Sequence, residues 1–222
     1  MKKIRIYFII QMSIAILLTG CSRTQATVTY QQGDKNVEAG QKLQWTFDTD
    51  QPGGLPAGAT VFSGNWAVRA ESGTPSPPNA LCQTGKVPFP ALSLSEKIFA
   101  DVVVSTSFKP ISGEIDRAAG IIFRIQDKDN YYILRANALE DNVNIYKYAG
   151  GKRDEIQEGS AKVPSGKWQE LRVEVKGNTI RGFLNGKLVV QASDDTFKAG
   201  KVGLWTKADS ETCFDNVAAT AQ

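Results

Sequence analysis

The chain has no histidine, and it has only two methionines and three cysteines among its 222 residues. The first absence excludes a Ser-His-Asp triad, a Cys-His pair, a His-ligated zinc and a histidine general base. Any chemistry must rest on carboxylates, lysine, tyrosine or a metal held by oxygen. An excess of charge is missing as well. Residues 1–20 carry three of the 26 basic groups (Lys2, Lys3 and Arg5) and none of the 23 acidic ones, so the remainder is balanced. With no basic patch and no block of like charge, no nucleic-acid partner is expected. Long helical periodicity and internal repeats are also absent.

One extended apolar run exists, from Tyr7 to Leu18, directly after the basic start. It is too short for a membrane span, and residues 1–20 read as a signal peptide. The run ends in Leu18-Thr19-Gly20-Cys21, which resembles the lipobox of bacterial lipoproteins. Cys21 is then the diacylated first residue of an exported protein whose membrane contact is the lipid alone. Ser22 is not the aspartate that retains lipoproteins at the inner membrane, so the expected location is the outer membrane or cell envelope, facing the periplasm or the outside. Residues 21–42, polar and poor in large apolar groups, read as the lipidated cysteine and its flexible tether. Residues 43–222 then form one domain, large enough to bury a core. Cys82 and Cys213 remain in an oxidising compartment and can pair in one way only. Such a bond, closing about 130 residues, restricts the unfolded chain by ~4–5 kcal/mol on the entropic model. Two buried free thiols are the alternative.

The domain reads as about a dozen short strands joined by Gly, Pro, Asn and Asp turns, which means a β-sandwich. Trp168–Val175 alternates cleanly, and Asn185-Gly186 marks a tight hairpin. The organising stretch is Ala118–Tyr148, a meander of strands at roughly 120–126, 131–137 and 143–148. Alternation points Ile121, Phe123, Ile125, Tyr132, Leu134, Ala136, Val143 and Ile145 inward. It sends Arg124, Tyr131, Arg135, Asn137, Asn144 and Tyr146 to the other face. By parity Trp205 and Lys207 share a face with Lys201 and Gly203, and they complete a candidate surface of aromatics, amides and cations suited to a polyhydroxylated ligand. Beside it, the loop 137–142 carries Glu140.

The runs NYYILRANALEDNVNIYKY, GKR at 151–153, DDTF, AGKVGLWTKADS and FDNV resemble the bacterial family with the 3-keto-disaccharide hydrolase domain, often labelled family 16 glycoside hydrolases. The resemblance spans about Trp45 to Val217. It implies an all-β, concanavalin A-like (laminin G-like) β-sandwich, a jelly roll of two antiparallel sheets. Family 16 glucanases use a Glu-x-Asp-x-x-Glu strand, with two carboxyl groups about 5–5.5 Å apart for retaining hydrolysis. The matching stretch starts at Glu114 and Asp116, but Ala119 stands where the second glutamate belongs, which reduces it to a polar turn before the strand. If the chain is an enzyme on 3-keto sugars, the resemblance implies Glu140 as base with Arg135 or Lys147 as electrophile. The first and last strands of such sandwiches sometimes hold a structural Ca²⁺, for which Asp48, Asp50 and Asp215 are the candidate ligands; no other cofactor is expected. The favoured reading is a lipid-anchored carbohydrate-binding module that does not hydrolyse ordinary glycosides. The alternatives are a 3-keto-glycoside enzyme and a structural envelope protein with a protein partner.

Overall fold

The computed structural model describes residues 35–222. The leader, Cys21 and the first part of the tether, including a short strand expected near Thr27–Tyr30, lie outside the described residues. Fifteen strands follow: β1 (Lys42–Trp45), β2 (Thr60–Ser63), β3 (Trp66–Ala70), β4 (Asn79–Gln83), β5 (Ala91–Ser93), β6 (Val102–Ser112), β7 (Ala118–Asp127), β8 (Asn130–Asn137), β9 (Asn142–Ala149), β10 (Lys152–Ser160), β11 (Gln169–Lys176), β12 (Thr179–Leu184), β13 (Lys187–Ser193), β14 (Lys201–Trp205) and β15 (Glu211–Ala221). They form two antiparallel sheets. The first has the order β13-β12-β11-β6-β15-β4-β3, with β1 also on β15, and the second the order β10-β9-β8-β7-β14-β5-β2. Residues 35–41, read as the end of the tether, already bond the domain: Lys35 and Val37 pair with Ile98, and Gly40 and Gln41 with Ala221.

The expected alternation is visible in β6, where every second residue from Val102 to Pro110 is buried, and in β11. Turn chemistry sets the registers. Asn185 and Gly186, both at positive φ, join β12 to β13, and Gly150 and Gly151, also at positive φ, join β9 to β10, as two-residue hairpins require. Val68, Leu81, Val104, Phe108, Ile121, Phe123, Leu134, Ile145, Leu171, Val173, Leu204 and Phe214 fill the space between the sheets. Along one side β10 and β13 come so close that a Cβ on Gly159 would lie 2.6 Å from the Val189 carbonyl oxygen. Cys82 and Cys213, directly opposite each other on β4 and β15, are joined as a disulfide on the outside of the first sheet, beside Ala80, Ile111 and Trp168.

The central meander runs as expected with one exception. At Arg124, whose φ is +49°, β7 bulges and the pairing with β8 shifts between Phe123 and Asp127. An inserted residue reverses the faces beyond it. Ile125, expected inside, therefore joins Ile122 on the outer face. Arg124, expected on the ligand face, turns to one end of the sandwich. There it donates to the carbonyls of Ala100 (3.2 Å), Phe197 (3.0 Å) and Gly177 (2.8 Å) and pairs with Asp101. Burial lowers the pKa of its guanidinium against the pull of Asp101. Arg124 thus ties three loops together and is withdrawn from the ligand surface.

Candidate functional site

The outer face of the second sheet is not bare. Strands β7, β8 and β9 are buried on both sides over most of their length, the outer one under their own side chains together with Phe89, Arg153 and Trp205. Register fixes that layer. Asn137 stands opposite Asn142, Arg135 opposite Asn144, Ile133 opposite Tyr146 and Tyr131 opposite Tyr148. On β10, Glu155 lies opposite Tyr146 and Arg153 opposite Tyr148. Across β7, Gly120 separates Arg135 from Trp205 on β14. The layer is polar at one end of the strands and aromatic at the other.

At the polar end the Arg135 guanidinium, 2% exposed, donates to Glu140 Oε2 at 2.6 Å and to Asn142 Oδ1 at 2.8 Å, and lies 5.2 Å from the Tyr146 ring centroid. Asn142 donates back to the same Glu140 oxygen at 3.1 Å. Three turns converge here. Asp116, from the turn before β7, accepts from Asn137 Nδ2 at 2.7 Å and pairs with Lys207 Nζ at 2.7 Å. Asp209, from the turn before β15, accepts from the amides of Glu114, Ile115 and Asp116, and these bonds hold its carboxyl at about 2. The turn that had read as a polar connector therefore supplies a buried carboxylate.

At the aromatic end Trp205 is fully covered. It lies so close to β7 that a Cβ on Gly120 would meet its Cε3 at 3.1 Å. Phe89 stacks over it with ring centroids 5.9 Å apart, and Tyr148 stacks on Tyr131 at 4.9 Å. The Arg153 guanidinium bridges the two ends, 4.5 Å from the Tyr146 ring, 5.3 Å from Phe89 and 5.9 Å from Trp205. Burial pushes the pKa values of the Tyr131 and Tyr146 phenols up, so both stay protonated donors.

Among the described residues, four buried polar atoms in this layer have no hydrogen-bond partner: Arg135 Nε, Arg153 Nη1, Trp205 Nε1 and Asn144 Oδ1. Asn144 spends its amide nitrogen on the Tyr146 hydroxyl and on Glu155, both at 3.0 Å. An unsatisfied buried group costs ~1–3 kcal/mol, and three donors with one acceptor on one face match a ligand that carries both hydroxyl and ring or carbonyl oxygens.

The structure brings together Tyr131, Arg135, Asn137, Glu140, Asn144, Tyr146, Trp205 and Lys207 as the alternation requires, with Trp205 beneath Phe89 rather than at the surface. Lys147, expected as an electrophile, is not among them. Standing between Tyr146 and Tyr148, it projects to the opposite side of β9 and bonds Asp194 (3.0 Å) and Thr196 (3.1 Å). Asp116, Asn142, Arg153, Glu155 and Phe89 were not in the expected set. For Arg153 and Glu155 the signal was present in the Gly150-Gly151 turn, after which alternation places both outward.

Of the three aspartates expected to hold a cation, two meet. Asp215 accepts from the amides of Ser76 (2.7 Å) and Asn216 (2.6 Å), and the Ser76 hydroxyl donates to Asp48. Burial, with Asp48 adding, raises the pKa of the Asp215 carboxyl. Asp48 Oδ1 is buried there without a partner, as is Thr74 Oγ1 two residues before Ser76 in the chain. Asp50 enters through its carbonyl, which accepts from Asn79.

Compared with known proteins, residues 44–220 match the model of the 3-keto-alpha-glucoside-1,2-lyase-like domain. The levanase of Bacillus subtilis (strain 168) is 27% identical over 164 residues, which is 72% of this chain and 22% of that protein, so the chain spans about a fifth of its length. Among solved structures, the carbohydrate-binding module CBM66 from Bacillus subtilis superposes with a TM-score of 0.65 at 23% identity, covering 74% of this chain and 96% of the module. The Bacillus licheniformis β-glucanase gives 0.53 at 12% identity, covering 83% and 100%. These likenesses establish the jelly-roll sandwich.

Burial favours the neutral acid of Glu140, but the charge of Arg135, hydrogen bonds from Asn142 and Arg135, and the charge of Lys207 outweigh it and hold the carboxyl low. A lowered native pKa contributes stability that is complete above the unfolded value of about 4.3 and is lost as pH falls through the native one. With no histidine, no side chain of ordinary pKa titrates between about pH 5 and 8. The near-ultraviolet circular dichroism of the aromatic layer should therefore stay constant from about pH 8 to 5 and change only below about 4. A transition centred near pH 6 would contradict this account of the site.

Proposed function

Because the chain belongs to the family of the 3-keto-alpha-glucoside-1,2-lyase-like domain, we propose that it is a carbohydrate-binding module whose outer sheet face holds a sugar and does not cleave ordinary glycosides. The observation that carries this reading is the set of unpartnered polar atoms on Arg135, Arg153 and Asn144, embedded in a layer of aromatic rings. Guanidinium and amide groups bond hydroxyls, while ring faces take the apolar faces of a sugar. Against retaining hydrolysis, each carboxylate of the face is already engaged: Glu140 by Arg135, Asp116 by Lys207 and Glu155 by Asn144. Ala119, at the position of the second family 16 glutamate, faces the core. The family description favours lyase chemistry on keto sugars as the second reading. It would use Glu140 as base and Arg135 as electrophile, although a carboxyl held low is a weak base near neutrality.

The test is calorimetric titration of residues 35–222 with levan, suggested by the name of the levanase relative, and with a panel of glycans and their keto derivatives, with products followed by mass spectrometry. The expected result is binding without turnover, weakened tenfold or more in Arg153→Met, a loss of about 1.4 kcal/mol. No binding across the panel, or full affinity in Arg153→Met, would remove this reading. Turnover abolished by Glu140→Gln would put the lyase in its place.

In the cell this reading makes the domain a lipoprotein of the outer membrane or cell envelope, anchored through Cys21. The mass of the N-terminal peptide of the full-length protein should carry the acyl chains, and Cys21→Ala should release the protein to the soluble fraction. Retention of an unmodified leader would exclude it.

Asp48 Oδ1, Thr74 Oγ1 and the Asp215 carboxylate suit a hard cation such as Ca²⁺. Saturation at about a hundredfold above the dissociation constant stabilises by ~2.7 kcal/mol, which raises the melting temperature of a chain this size by about 5–10 °C. That rise should vanish in Asp48→Asn. Equal midpoints in Ca²⁺ and in chelator would exclude the site.

A further inference from the structure

The aromatic end of the face contains a hollow of about 270 Å³ lined by Phe62, Phe89, Tyr131, Tyr148, Lys128 and Asp129. Tyr131 is shared with the layer described above, whereas Arg135, Asn144 and Arg153 do not line the hollow. We infer that this hollow is a second sugar subsite, so that the module recognises an oligosaccharide chain laid across the sheet rather than a single sugar unit. The inference rests on the carbohydrate-binding reading and deepens it.

Three observations carry it. The first is the construction of the floor. Two fully covered rings, Trp205 and Tyr131, support two partly exposed ones, Phe89 above Trp205 and Tyr148 above Tyr131, and Phe89 and Tyr148 meet edge to face at 5.6 Å. Buried rings beneath exposed rings make a rigid platform, which costs little entropy when a flat apolar face settles on it. The second is the rim. Lys128 and Asp129, from the turn between β7 and β8, stand beside the two tyrosines, and the Asp129 charge is felt by both phenols. An aromatic floor with a carboxylate, an ammonium and phenols at its edge suits a ring that is apolar on its face and hydroxylated at its edge. The third is continuity. The Arg153 guanidinium lies over both the Phe89 ring, which lines the hollow, and the Tyr146 ring of the polar end, so the two ends share one side chain. Tyr131 and Arg135 project from the same face of β8 four residues apart, a separation of about 13 Å along the strand. That is longer than one sugar ring, so a ligand touching both ends has more than one.

The test titrates a free hexose and its di-, tri- and tetrasaccharides, from levan and from a β-glucan, into residues 35–222 and into the variants Tyr148→Ala and Phe62→Ala, each checked for an unchanged melting profile. Affinity should rise tenfold or more between the monosaccharide and the tri- or tetrasaccharide. Tyr148→Ala and Phe62→Ala should cancel that gain and leave monosaccharide affinity unchanged. Because Phe62 is partly exposed on β2 and belongs to none of the stacked ring pairs named above, its variant keeps the test decisive if Tyr148→Ala disturbs the layer. Sugar binding that is independent of chain length, or a length gain that survives both variants, overturns the subsite and leaves the single-site reading intact. No binding by any sugar overturns both.

Discussion

The outer face is organised by one constraint: a guanidinium, that of Arg135, buried on the side of a sheet that would otherwise face water. A buried charge without partners costs several kcal/mol, and removing one member of a buried pair costs ~3–5 kcal/mol. Here Glu140 and Asn142 supply oxygens and Tyr146 a ring face. These partners fix the turn between β8 and β9. Asp141 must adopt a φ of +53° for Glu140 to fold back, and Asn137 braces the turn by accepting from the Leu139 amide while donating to Asp116. The same satisfaction takes Glu140 out of acid–base work. A carboxylate that is half of a tight pair near neutral pH serves to position its partner.

The second consequence concerns the sheet itself. An antiparallel sheet in a sandwich normally buries one face and wets the other, yet β7–β9 are buried on both. The outer layer achieves this with residues that are neither wholly apolar nor wholly polar: tyrosine, tryptophan and arginine lying flat and stacking on one another. Arginine is suited to this role because its planar group stacks on rings and keeps its donors at the edge. Arg153 uses that property three times, over Tyr146, Phe89 and Trp205. The result is a rigid layer with unspent donors.

What was legible in the sequence follows from how local each cause is. The period-two pattern of β6 and β11 and the Asn185-Gly186 turn are written in neighbouring residues, and the sandwich follows from them; the Cys82–Cys213 bond, 131 residues apart, was legible only because those two thiols have a single way to pair. Parity also assigned Arg135, Asn144 and Tyr146 to one face and Trp205 to that of Lys207; that the two faces are the same one comes from the pairing of β14 with β7. It failed where the backbone departs from parity. The bulge at Arg124 has no turn residue to announce it, since an arginine at positive φ is held there by carbonyls of Ala100, Phe197 and Gly177, remote in the chain. Lys147 failed for the opposite reason: alternation with Tyr146 and Tyr148 already turned it to the other side of β9, and the expected role as electrophile beside Glu140 needed a placement that the sheet forbids. Asp116 was hidden because its partners, Asn137 and Lys207, reach it only through the fold.

The balance of satisfied and unsatisfied groups in this layer favours the proposed receptor over a catalyst. Catalysis by carboxylates requires at least one with a proton free to move and a pKa near the working pH. Glu140, Asp116 and Glu155 instead accept from Arg135, Asn137, Lys207 and Asn144, and Glu140 is driven away from neutrality. The unsatisfied atoms are of another kind, guanidinium and indole donors and an amide oxygen, which bond without exchanging protons. Such groups are held ready for oxygen atoms and hydroxyls in fixed positions and do little for a reaction that must transfer hydrogen. Engaged bases and idle donors favour the proposed holding of a sugar over its cleavage, and the aromatic floor beside them favours a ligand of more than one ring.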